Sequence, residues 1–183
     1  YELRKRMERF FLKNRDKGIP NLMLYIAIGN VAVYLLSVID PSRVVYSALC
    51  FSRSAIFRGQ IWRLFSYIFT YLIDARGFDL LLGLLSLFCF YQFGRLLEQY
   101  WGRFKFNMYY LTGVVMLDLA ALLLGAYATT YYLNISLFLA VATIAPEARV
   151  YLMGLIPIKM KYMAWVYLGF TAISVVTGLL SGL

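Results

Sequence analysis

This chain of 183 residues contains no histidine. That one absence removes serine-histidine and cysteine-histidine catalysis, imidazole metal ligation and histidine proton relays from anything these residues do by themselves. Acids are scarce as well: nine Asp and Glu stand against 18 Lys and Arg, giving a net charge of +9. Two cysteines, Cys50 and Cys89, are too few and too far apart for a metal site or a disulfide framework, and Cys89 reads as a small core residue. Charge of either sign makes up only 15% of the chain, against about 25% in a soluble domain.

Apolar residues fill the space instead, 62% of the total, with a mean hydropathy of +0.71. This composition describes an all-α, polytopic membrane protein whose first partner is the lipid bilayer. The basic residues lie in the loops between apolar runs, where membrane topology accounts for them, so nucleic acid is not an expected partner. No metal or cofactor is expected either.

Residues 1–20 form a basic cytoplasmic arm, with Met7, Phe10 and Phe11 expected at the interface, and residues 21–183 form the transmembrane domain. Five spanning helices are expected: Asn21 to Ile39, Phe78 to Leu97, Phe106 to Ala126, a short one after Tyr131, and Tyr162 to Leu180. A sixth beyond Leu183 would return the chain to the cytoplasm. Between the first two, Ile61 to Ile73 reads as an amphipathic helix lying in the interface, with Arg63, Ser66, Thr70 and Asp74 on its polar side. Without a crossing there, thirteen of the 18 Lys and Arg fall inside and five outside, the bias that orients membrane proteins. The N-terminus is therefore expected in the cytoplasm, with a bacterial plasma membrane ahead of the endoplasmic reticulum.

The stretch Tyr131 to Pro146 organises the rest. Its apolar core, Leu133 to Ala145, has 13 residues, enough helix for about 20 Å of a hydrocarbon layer roughly 30 Å thick. Longer neighbours must surround so short a helix, and its open end must face a polar recess. Ser136, Ala140, Ala142 and Ala145 allow close approach. Asp118, near the middle of an apolar run, costs about 2.5 to 3.5 kcal/mol at mid-bilayer and so faces the bundle interior. It is either protonated and hydrogen-bonded, with Asn134 and Ser136 as candidates, or it lines a wet cavity where clients, protons or ions are handled. Tyr127, Tyr131 and Tyr132 form an aromatic belt or the lip of that recess. Gly178 and Gly182 make a weak G-x-x-x-G packing signal.

Gly59-Gln-Ile-Trp62-Arg63, then Gly94-Arg-Leu-Leu-Glu98 leading to Gly102, then Ala145-Pro146 and Ile156-Pro-Ile-Lys-Met-Lys161, resemble motifs of the rhomboid superfamily of intramembrane proteases and its inactive, derlin-like relatives. The resemblance implies a six-helix bundle with a half-submerged first loop and a short central fourth helix. In that frame Arg63 ties the first loop together through backbone carbonyls or a carboxylate, with client contact by Trp62 and Arg63 as the alternative, and Glu98 caps loop amides or pairs with Arg95 or Arg103. Proteases of the family carry G-x-S-G on the fourth helix; ungapped counting puts Thr129, Thr130, Tyr131 and Tyr132 there. The oxyanion asparagine falls on Ser86 and its preceding histidine on Leu82. A phenol without a base is a poor nucleophile. The expected protein is thus a pseudoprotease that binds transmembrane segments of clients near Asp118, Asn134 and Ser136, in quality control, scaffolding or trafficking. Its competitors are a protease with unrecognised residues and a transporter centred on Asp118.

Overall fold

The computed structural model of the chain describes residues 2–40, 42–125, 128–152 and 156–181. The basic arm is a helix, α1 (Glu2–Lys13), whose Phe10 and Phe11 rings lie 5.6 and 6.0 Å from the ring of Phe104. Lys105 stands over Phe11, and the Phe104 N–H donates to the Arg15 carbonyl at 3.3 Å. The arm therefore docks on the first turn of a later helix, while Met7 and Phe10 remain more than half exposed.

α2 (Leu22–Ile39) follows, and its 18 residues cover about 27 Å. The first loop then folds into three helices of six residues or fewer, α3 (Val44–Leu49), α4 (Arg53–Phe57) and α5 (Arg63–Ser66), and a 3-10 turn over Tyr67–Phe69. No single helix runs from Ile61 to Ile73, and the expected sidedness is broken: Ile61 and Phe65 are exposed while Arg63, Tyr67 and Ile68 are buried. Unbonded carbonyls at the end of α3 explain the inversion. Trp62 Nε1 donates to the Ala48 carbonyl (3.1 Å), Ser66 Oγ to Leu49 (2.7 Å) and Arg63 to Cys50 (2.8 Å), which satisfies the groups a helix end leaves open.

α6 (Phe78–Trp101) and α7 (Arg103–Leu124) are separated by Gly102 alone, which sits at φ 83°. With α2, these are the helices among the described residues that are long and apolar enough to cross a membrane. Only 17% of the apolar window of α2 is buried, so its remaining surface is a lipid-facing one. α2 and α6 cross at Gly94, where a Cβ would lie 2.0 Å from Met23 Cγ.

α8 (Thr130–Ile144) is the short helix, 15 residues and about 22 Å. Its buried stripe, Thr130, Leu133, Asn134, Leu137, Phe138 and Val141, recurs at helical spacing and packs against α6 and α7. The opposite line, Tyr132, Leu139 and Thr143, is exposed, so the helix is sheltered on one side rather than surrounded. Between α8 and the last helix the chain departs from all-α: β1 (Arg149–Leu152) pairs antiparallel with β2 (Ile156–Lys159), Val150 opposite Ile158 and Tyr151 opposite Pro157. Pro157 has no N–H to give, and the Tyr151 backbone instead bonds the Gln92 side chain, N–H to Oε1 at 3.3 Å and carbonyl from Nε2 at 3.0 Å. β-branched and aromatic residues at Val150, Tyr151, Ile156 and Ile158 carried that signal in a stretch that Arg149, Lys159 and Lys161 mark as a cytoplasmic loop by sequence. α9 (Met160–Ser181) follows, with Met160 fully buried.

Candidate functional site

α6 and α9 both pack on α8 but make few contacts with one another. Between them lies a cavity of about 710 Å³, walled by Cys89, Phe90 and Phe93 of α6, Asn134 and Phe138 of α8, and Met163, Val166 and Tyr167 of α9. Tyr71 of the first loop also lines it. Nearly the whole wall is hydrocarbon or ring, with Phe93 and Phe138 in contact at 5.8 Å and Phe138 and Tyr167 at 5.7 Å.

The polar groups on that wall are few. Asn134 is 8% exposed, and its side-chain amide makes no hydrogen bond among the described residues. Ser86, half-buried on α6, and Tyr131, at the start of α8, border the same space. Tyr131 stacks edge-on against Tyr132 at 5.5 Å and interacts with the phenol of Tyr167. The structure thus brings together two of the three positions, Ser86 and Tyr131, that the rhomboid resemblance set against catalytic residues. Leu82, one turn before Ser86, is 44% exposed and does not line the cavity.

The expected polar recess of Asp118, Asn134 and Ser136 is not assembled. Ser136 is turned to α7, where its hydroxyl bonds that of Tyr109. Asp118 is buried against the first loop: its Oδ1 and the Tyr67 hydroxyl are both sealed from solvent without a well-formed hydrogen bond, and the carboxylate adds to the burial that raises the Tyr67 phenol. The reason is helical geometry. Asp118 shares its buried face with Tyr110, Val114 and Ala121, and this face looks toward the loop core rather than toward α9.

The motif residues act as ties. Arg63 Nε donates to Gln60 Oε1 at 2.6 Å while Nη1 holds the Cys50 carbonyl, and the exposed Trp62 side chain is tied through its indole N–H. Both Glu98 oxygens accept from the Asn21 N–H, at 3.1 and 2.9 Å, and Arg103 lies 3.6 Å away. Glu98 thereby fixes the start of α2 to the end of α6; Arg95 takes no part. Gly102 leaves no room for a side chain, since a Cβ would meet Arg15 Cγ at 2.5 Å.

One residue that positions the cavity was not anticipated. Asn30, 1% exposed in the middle of α2, donates to the Ile26 and Ile68 carbonyls (2.9 and 3.1 Å) and accepts from the Tyr71 N–H at 3.0 Å. It holds the loop turn that carries Tyr71 to the cavity. An asparagine inside an 18-residue apolar helix was the available signal. Tyr127 and Gly182 lie outside the described residues.

Membrane-length helices with lipid-facing apolar surfaces, built around a half-sheltered short helix, define an α-helical integral membrane protein. The chain belongs to the family of eukaryotic integral membrane proteins DUF1751, whose model matches residues 24–183. No curated protein and no solved structure matches it. The family overturns the expectation of a bacterial plasma membrane. The Lys and Arg bias that orients a chain acts alike in bacterial and eukaryotic membranes, so loop charge had no power to choose between them.

Proposed function

We propose that this protein is a rhomboid-like, non-catalytic membrane protein with five crossings and a cytoplasmic N-terminus, and that it holds transmembrane segments of other proteins. A client helix enters sideways between α6 and α9 and lies against α8. The observation that carries this reading is the unpaired amide of Asn134 on the wall of an otherwise apolar cavity. A polar side chain in hydrocarbon has no water to turn to, so a client helix bearing one gains a hydrogen bond by docking there. The polar groups at the cavity, a serine, an amide and phenols, exchange hydrogen bonds rather than supply a nucleophile with its base.

The test uses a defined client. A fluorescent 20-residue Leu/Ala helix with one central Asn is reconstituted with the full chain in liposomes, beside an all-apolar version. Energy transfer is expected to show roughly 3- to 10-fold preference for the Asn helix, the strength of one hydrogen bond in a membrane. Asn134→Leu should abolish the preference without changing α-helix content. Equal binding of both helices, or fluorophosphonate labelling that disappears in Ser86→Ala, overturns the reading.

A further inference from the structure

A second recess lies on the far side of α6, at the end of the bundle that carries the hairpin. It is a cavity of about 570 Å³ whose polar wall is Arg95 and Gln99 of α6 and Arg149 of β1, with Gln92 beside them. No carboxylate lines it. Neither guanidinium has an acidic partner among the described residues. The acids nearest in sequence are committed elsewhere: Glu147 to Lys159 and Lys161 at 2.8 and 2.6 Å, and Glu98 to the Asn21 amide and Arg103. Two such cations in one concave site leave unbalanced positive charge, with rigid forks of N–H donors matched to a phosphate.

The recess does not end at the polar wall. Phe88 and Tyr91 also belong to an apolar groove of about 590 Å³ that runs between α2 and α6, past Leu24, Ile28, Leu35 and Leu84. From Leu24 to Leu35 the groove follows α2 for about 16 Å, close to half of a hydrocarbon core roughly 30 Å thick. A cationic pocket continuous with a groove one leaflet deep matches one molecule that carries an anion and an acyl chain.

We propose that α6, α2 and β1 hold one anionic phospholipid, its phosphate on Arg95 and Arg149 and one acyl chain along the α2–α6 groove. The site is separate from the α6–α9 cavity and stands without the client reading. The hairpin then serves the lipid site, because Gln92 clamps Tyr151, which fixes β1 against α6 and so keeps Arg149 over the pocket.

The full chain in a maltoside detergent, incubated with dioleoylphosphatidylserine or dioleoylphosphatidylcholine, is followed by native mass spectrometry. One phosphatidylserine per chain should be retained, with roughly tenfold or greater preference over phosphatidylcholine. Arg95→Ala with Arg149→Ala should erase that preference, whereas Lys13→Ala with Lys17→Ala, the same charge loss outside the pocket, should leave it. Ala27→Phe, which fills the groove, should remove the bound lipid while helix content stays constant. Equal loss in both double variants would mean diffuse attraction of anions and overturn the site. Retention of chain-free glycerophosphoserine as strong as that of the lipid would assign the pocket to a soluble phosphate and overturn the acyl groove.

Discussion

Asn30 shows how one side chain in a lipid-length helix shapes a site it does not touch. Its three bonds reach its own helix, the 3-10 turn and the backbone of Tyr71. In Asn30→Leu the Tyr71 N–H and Ile68 carbonyl are left buried without a partner, at about 1 to 3 kcal/mol each. Denaturant titration in detergent should register a loss of about 2 to 6 kcal/mol, the two groups together, and a change below about 0.5 kcal/mol would show that the loop is held by packing alone. Residue chemistry was legible in the sequence where charge made it conspicuous. Arg63, Glu98 and Asp118 stood out as needing partners, and each is tied or buried. The kind of partner was legible for Arg63 and Glu98, a backbone carbonyl for the one and a loop amide or Arg103 for the other, but Cys50 and Asn21 themselves were not, because they lie 13 and 77 positions away.

Among elements, the apolar runs located α2, α6, α7 and α8 within a few residues, since a membrane helix is marked by length and hydrocarbon alone. The hairpin was missed because two four-residue strands between basic residues give a periodicity too brief to separate from a loop. Its base is held by charge: Lys159 and Lys161 keep the Glu147 carboxyl down at about 2, below its ordinary 4.5. A carboxyl lowered in the folded state contributes in full above about pH 4.5, and the contribution fades as pH falls toward about 2. The protection of the Arg149–Leu152 amides, their exchange measured against the intrinsic rate, should fall across that window in the wild type. In Glu147→Gln the rates should already be raised at neutral pH, with no step in this window beyond the intrinsic pH trend.

For the whole molecule, the proposed topology rests on the bias of basic residues toward the arm, the Gly102 turn and the hairpin. In a Cys50→Ser, Cys89→Ser background, a membrane-impermeant maleimide should reach Lys5→Cys from the cytoplasm only and Arg58→Cys from the opposite side only. Reversed labelling would invert the topology. The side-by-side placement of α6 and α9 was not legible, because sequence reports which faces are apolar but not which helices leave a gap. Expecting full shelter for α8 overstated what the described helices provide, since Tyr132, Leu139 and Thr143 remain bare.

The clamp of Gln92 on Tyr151 reaches further than the hairpin. β1 is strapped to α6, β2 runs straight into α9, and the Met160 and Lys161 amides bond back to the Ala148 and Pro146 carbonyls. α6 and α9 are thus joined through the hairpin at one end, and the described contacts between the two helices themselves are few. Under the proposed client reading, a guest helix slips in away from that pinned end, as a page does opposite the spine of a book.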